Sequence, residues 1–192
     1  MPATVIETLI PAKTSAGVAD EVLYEIIDGQ RVELPPMSVY ATAVASWLVG
    51  ALAIFSHAHP LGLPFAQMLF RLPVAVSRNR RPDVAFVTYE RWPKNWLIPS
   101  TDNAWEVAPD LAVEVTSPND LADEIMQKIT KYFQAGVRLV WIVYPLQRLV
   151  YVHESPSQVR VLTYTDELDG GSVLPGFRLP LVNLFQETIT AS

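Results

Sequence analysis

The sequence predicts a mixed α/β (α+β) fold, and three observations predict it. Short runs rich in β-branched and aromatic residues, such as "LAVEV", "RLVWIVYP" and "RLVYVHES", recur along the chain. Two segments are long and apolar enough to be helices. At the centre a strand, a helix and a strand follow one another directly, which implies a parallel pair joined by a right-handed crossover. The 192 residues fit one domain with a substantial core. Half are hydrophobic, only 18% are charged, and five Trp, seven Tyr and seven Phe argue against disorder.

The elements follow in order. "EVLYEIIDGQRVELPP" reads as a β-hairpin turning at Asp28-Gly29, the dipeptide favoured in tight two-residue turns, and Pro35-Pro36 stop its second strand. "VYATAVASWLVGALAIFSHAH" carries an apolar helix from Val39 to Phe55 that approaches membrane-spanning length, with Thr42, Ser46 and Gly50 recurring along it. It reads as a buried core helix, because the rest of the chain reads as an α/β domain, and "HAHPLGLP" ends it. "FAQMLFRLPVAVS" is strand material interrupted at Pro73, and "SRNRRPDVAFV" is a basic loop running into a strand over Asp83 to Val87. "TYERWPKNWLIPSTDNAWEVAP" is an irregular loop that its own Trp92, Trp96 and Trp105 pack down, in preference to a lid or contact surface. A strand over Leu111 to Ser117 leads to a helix from about Pro118 to Ala135, then two strands. Further strands, a Gly170-Gly171 turn and a short terminal helix complete a domain over 21–187, with an extension at 1–20 and a tail at 188–192.

Composition also excludes chemistry. Without cysteine there is no disulfide, thiolate metal site or cysteine nucleophile. "MPATVIETLIPAKTS" has no basic start followed by an apolar run, so neither signal peptide nor anchor is expected, and the default location is cytoplasmic with no membrane partner. The net charge of −6 repels nucleic acid at long range, so such a partner must be met at a local positive patch.

The central helix has a sensible start, with Ser117 as cap, Pro118 in the first position and Asp120 at the positive end of the dipole; Gly136 marks its stop. Leu121, Ile125, Ile129, Tyr132 and Phe133 cover one apolar arc at the helical period, and Lys128 falls at the edge of that arc. A lysine there either snorkels to water or faces a partner. In the strand before the helix, alternation puts Leu111, Val113 and Val115 on one face and Ala112, Glu114 and Thr116 on the other. A carboxylate among apolar neighbours must be paired, protonated or metal-bound, because an isolated buried charge is very costly. Asp83, where a second strand meets its loop, could converge with Glu114 on one hard divalent cation, Mg2+ or Mn2+. Lys128 would then orient a water or stabilise charge on a phosphate, which makes a phosphodiester-hydrolysing site. The alternative is a structural ion pair of Glu114 with Arg81 or Lys128.

"YEIIDG", "RRPDVAFV", "PDLAVEVTSPND" and "KITKYFQAGVRLVWIVYP" together resemble the Uma2 family of restriction-endonuclease-like proteins with a PD-(D/E)XK core, from about Val22 to Phe185. The resemblance implies a central mixed sheet flanked by helices, with Asp83 and Glu114 as metal ligands and the Val115 carbonyl as a further one. Thr116 stands where the pattern has its lysine, and Lys128 matches the lysine that these proteins carry on the following helix. Glu25 matches another acidic position; it completes the metal shell, holds Lys128, or forms a cross-strand ion pair in the hairpin. The histidine that members often carry early in the first long helix is missing from "PPMSVYATAV", and His57 and His59 at its far end make a weak metal signal.

Arg78, Arg80 and Arg81 precede Asp83 and read either as phosphate contacts or as a solvated turn. The sequence is thus expected to encode a metal-dependent DNA endonuclease, by analogy a homodimer. A catalytically inactive module of the same fold that binds nucleic acid or a protein is the alternative.

Overall fold

The computed structural model describes residues 22–72, 79–118 and 120–186. The 1–20 extension, the 188–192 tail, the break at Pro73 and Arg78 lie outside the described residues. Strands β1 (Tyr24–Ile27) and β2 (Gln30–Glu33) form the expected hairpin, with Asp28 and Gly29 both at positive φ in the turn. Helix α1 (Val39–Ala58) follows, its N-terminus capped by the Ser38 side chain accepting from the Ala41 amide. Then come β3 (Gly62–Ala66), β4 (Phe70–Arg71), β5 (Asn79–Arg80), β6 (Val84–Thr88), β7 (Leu111–Val115), α2 (Ala122–Gln134), β8 (Leu139–Tyr144), β9 (Leu149–His153), β10 (Val159–Leu162), β11 (Glu167–Gly170), β12 (Leu174–Pro180) and α3 (Leu181–Leu184).

The central sheet has the order β10-β9-β8-β7-β6-β3. Only β7 and β8 in it are parallel, joined through α2 as the strand-helix-strand pattern requires; the remaining pairs are antiparallel, so the sheet is mixed. A second sheet, β2-β1-β5-β4, extends the hairpin, and β11 with β12 makes a third.

Alternation along the central strands decides how the layers stack. Leu111, Val113, Val115, Trp141 and Val143 face a core completed by α1, α3 and β12. Ala112, Val140 and Ile142 face the opposite way, into a core with α2 and the tryptophan loop. Glu114 therefore shares the α2 side with Ala112, as the alternation predicts.

The helix α1 stops at Ala58, inside the stretch read as its end, and the last residues of that stretch go on to open β3. Gly62 packs so tightly on the Val87 carbonyl that no Cβ would fit, and Pro64 is tolerated because β3 is an edge strand. Two other elements differ from the sequence reading. The helix α1 does not bury all round. Ala41, Val44, Leu48 and Leu52 pack inward while Val39 and Ile54 are exposed, and only 28% of its most apolar window is buried. Among the described residues it alone is long and apolar enough to cross a membrane. The second is α2, which begins at Ala122 with no side-chain cap, not at Pro118. Asp120 turns its carboxylate back to accept from the Ser117 amide at 2.7 Å, and its own amide donates to the Ser117 carbonyl. That local closure competes with helix, so Leu121 ends outside the apolar arc and exposed.

The loop between β6 and β7 is irregular, as read, and Trp105 packs edge-on against both Trp92 and Phe65. Its base is held by Asp110, a buried carboxylate that accepts from the Thr88 amide at 2.8 Å and pairs with Arg91 and Arg138 at 3.0 Å each. These bonds tie the start of β7 to the end of β6 and the start of β8. Asp110→Ala would leave the Thr88 donor and two guanidiniums without their acceptor, and is expected to cost roughly 2–4 kcal/mol in urea denaturation. A loss under about 1 kcal/mol would contradict this clamp.

Candidate functional site

Three separate elements bring the expected residues to one place. Asp83 sits at the residue before β6, Glu114 near the end of β7, and Lys128 in the middle of α2. Because β6 runs antiparallel to β7, with Val84 opposite Val113, the start of one strand lies beside the end of the other. One carboxylate oxygen of Asp83 accepts from the Val115 amide at 2.7 Å, which fixes the two strand ends together. Asp83, Glu114, Val115 and Lys128 all line one cleft of about 430 Å³, with Thr116, Asp120 and Arg81 beside them.

Glu114 is 7% exposed and both of its oxygens are engaged. Oε2 accepts from the Lys128 ammonium at 2.7 Å, and Oε1 accepts from the Tyr132 hydroxyl at 2.5 Å. Lys128 and Tyr132 are four residues apart on α2, one helical turn, so a single helix face presents two donors to one carboxylate. The buried glutamate is thus paired, as the cost of an isolated charge demands. Tyr132 is the functional residue that the periodic reading missed, since it was counted only as part of the apolar arc. Its signal was there: a tyrosine on a buried face needs a hydrogen-bond partner, and the nearest unexplained group one turn away faces Glu114.

The electrostatics follow from this crowding. Burial, then the neighbouring Glu114 charge, raises the Asp83 pKa to about 7 against the opposing Val115 amide and Lys128. For Lys128, burial favours the neutral form, but contact with Glu114 and the nearby Glu25 and Asp83 outweigh it, and the ammonium is held above the usual lysine range. Burial and the same glutamate push the Tyr132 hydroxyl far above its ordinary value, so it is a donor at any physiological pH.

Other expected residues are placed differently. Glu25 is buried, and its oxygens accept from Arg80 at 2.5 Å and from the Arg81 amide at 2.9 Å. Its ion pair therefore lies outside the hairpin, where the cross-strand reading had set it: Glu25 faces Val32 across the hairpin and pairs with Arg80 of β5. Its charge reaches Lys128 at longer range. Arg80, expected as a phosphate contact, is 3% exposed in that pair and does not face solvent. Arg81 does line the cleft, where its guanidinium donates to the Gln67 and Tyr24 carbonyls. The structural alternative for Glu114 named Arg81 or Lys128 as its partner; Lys128 is the one in contact.

The donor set fits a hard divalent cation. Two carboxylates from adjacent strands face an open cleft, and a cation such as Mg2+ is commonly held by one or two carboxylates with waters completing its shell. The raised Asp83 pKa reflects burial first and the Glu114 charge beside it second. Among the described residues no cluster of three or more His, Asp or Glu side chains is grouped at metal-binding distances, so the Val115 carbonyl or water would supply the rest.

Because the folded-state Asp83 pKa lies above 3.8, the metal-free protein binds a proton more tightly folded than unfolded. Its stability from this group is present at low pH and is lost as pH rises from about 4 towards about 7. Asp83→Asn removes that penalty, so without metal the variant should gain in melting temperature over wild type at pH 8 and gain less at pH 5. Equal differences at the two pH values would show that the Asp83 charge carries no strain. For Tyr132→Phe, the unsatisfied Glu114 oxygen should cost about 1–3 kcal/mol in urea denaturation, and a neutral result would contradict the hydrogen bond.

Comparison with known proteins agrees with this architecture. A solved structure of a putative nuclease from Anabaena variabilis superposes with a TM-score of 0.73 over 84% of this chain and 89% of that one, at 18% sequence identity, which shows a shared fold. No curated protein matches the chain. The family model described as "Uma2: Putative restriction endonuclease" matches residues 13–182, and the chain belongs to that family.

Proposed function

We propose that the protein is a divalent-metal-dependent DNA endonuclease that hydrolyses phosphodiester bonds at the cleft. The observation that carries this reading is the convergence of Asp83, Glu114 and Lys128 from three elements on one open cleft. Family membership and the nuclease-like fold support it.

In this reading Asp83 and Glu114, with the Val115 carbonyl, hold Mg2+ or Mn2+. The bound cation would supply an acidified water and a charge that polarises the phosphate. The chain's own residues do the rest. Tyr132 and Lys128 hold Glu114 in one rotamer, so its position does not depend on cation binding for order. Lys128 stays protonated at neutral pH, so it serves as a donor and positive charge, either orienting the attacking water or stabilising charge on the phosphoryl oxygens, and not as a general base. Thr116, just beyond the end of β7, donates its hydroxyl to the Val143 carbonyl, which removes it from that task. Action as a symmetric pair on a duplex belongs to the same proposal.

The test is cleavage of plasmid DNA with and without Mg2+ or Mn2+. Wild type should nick or cut only with metal; Glu114→Gln and Lys128→Met should each lose at least about 100-fold in rate, on the scale of removing one preorganised charge or donor. Circular dichroism should show both variants folded. Metal-independent cutting, or full activity in Glu114→Gln, would overturn the proposal; metal-dependent stabilisation without cutting would favour the inactive module of the same fold.

A further inference from the structure

The register of the central sheet puts a neutral polar residue beside the acids. Ala66, at the end of β3, faces Val84 of β6, so the next residue, Gln67, stands opposite Asp83 and its amide donates to the Asp83 carbonyl at 3.1 Å. On the other side of Asp83, the Val115 amide at the end of β7 donates to its carboxylate. Gln67, Asp83 and the Glu114–Val115 end of β7 thus form a row across three adjacent strand ends, and all of them line the cleft.

Gln67 is held there in an unfavourable backbone conformation. Its φ is 46°, a region that residues with a Cβ seldom enter. Two backbone bonds keep it there: the amide bond to Asp83, and a carbonyl that accepts from the Arg81 guanidinium at 2.6 Å. Gly, Asn or Asp would fill the same position with less strain. Strain of this kind persists where the surroundings over-determine the backbone, and it gathers at ligand-binding positions.

The protein itself makes little use of the side chain. Among the described residues the half-buried Gln67 carboxamide has one partner, the sulfur of Met37, to which Nε2 donates at 3.5 Å within the cleft wall. A thioether is a weak acceptor, and the second N–H of Nε2 has no acceptor among the described residues. The cleft also carries Asp83, Glu114, Asp120 and Glu124, while the Lys128 ammonium is bonded to Glu114. A phosphate oxygen entering such a site accepts more strongly than the thioether does, because it is charged.

We propose that the Gln67 carboxamide donates to a non-bridging oxygen of a DNA phosphate seated beside Asp83, exchanging the Met37 sulfur for it. The assignment rests on the nuclease reading for the identity of the ligand, and adds to it an uncharged phosphate contact. Gln67 binds and positions the strand; the bond-breaking step is left to the groups on its other side.

The test measures anisotropy of two short fluorescein-labelled DNA duplexes of unrelated sequence with the Glu114→Gln protein and Mg2+, across a series of salt concentrations. Adding Gln67→Leu should weaken binding several-fold for both duplexes and leave the slope of log affinity against log salt unchanged, since a neutral donor releases no counterion. Gln67→Glu, of nearly the same shape, should weaken it further through repulsion. Gln134→Leu, which removes an exposed carboxamide of α2 outside the cleft, should leave binding unchanged. Gln67→Gly relieves the positive φ, so it should melt at or above its parent while binding more weakly, whereas a glutamine of purely structural role would lower both. Unchanged binding in Gln67→Leu, an altered salt slope, an equal loss in Gln134→Leu, or a Gln67→Gly protein that melts below its parent overturns the proposal. A loss confined to one duplex overturns it in favour of base reading. Wild-type cleavage assayed in parallel separates the two readings. Cleavage with Gln67-independent binding sinks this contact alone, Gln67-dependent binding without cleavage sinks the nuclease reading alone, and the absence of both binding and cleavage sinks both.

Discussion

A buried glutamate on a central strand sets the terms for the structure around it. The Glu114 carboxylate is removed from water between β7 and α2, and such a charge persists only if its hydrogen bonds are complete. Lys128 and Tyr132 complete them from a single turn of helix. Register in β7 cannot slip by one residue without carrying this charge into the opposite core, where Leu111, Val113 and Val115 pack. The rotation of α2 is equally constrained, because only one face presents both donors. The site and the fold are thus specified by the same bonds.

Asp83 adds strain to that arrangement. It is tied to the Val115 amide and lies in the field of Glu114, so the two acids are held together at a cost that protonation relieves and that a bound cation would also relieve. The neighbouring Glu25–Arg80 pair acts in the opposite sense. It neutralises a third carboxylate within the range of Lys128 and leaves the cleft with fewer competing acids. The Asp110 clamp keeps the other end of β7 in place, so β7 is fixed at its start by one carboxylate and near its end by another.

Much of this was legible in the sequence because it depends on short periods. Alternation over "LAVEVTS" aimed Glu114 correctly, and the helical period of α2 brought Lys128 to the inward edge. The strand-helix-strand succession required the parallel β7–β8 pair, and Asp28-Gly29 required the hairpin. What escaped depends on tertiary partners or on competition between local bonds. Tyr132 looked apolar because its hydroxyl has no meaning until the helix docks on Glu114. Arg80 looked basic and exposed because its partner, Glu25, is distant in sequence and reached only through the β1–β5 pairing. The start of α2 was misread because Ser117 and Asp120, both good capping residues, close a turn on each other instead. The start of β3 went unread because Gly and Pro are punctuation in most contexts, and Gly62 and Pro64 serve as strand residues here at a sheet edge packed against a carbonyl.

The proposed site requires Asp83 and Glu114 to share one cation beside Lys128. The most direct measurement is anomalous diffraction from crystals soaked in Mn2+. A single strong peak is expected in the cleft, at about 2.0–2.3 Å from an oxygen of each carboxylate, a range in keeping with small hard cations. A peak elsewhere on the protein, or a cleft in which Glu114 stays bonded to Lys128 and Tyr132 with no metal at saturating Mn2+, would contradict it.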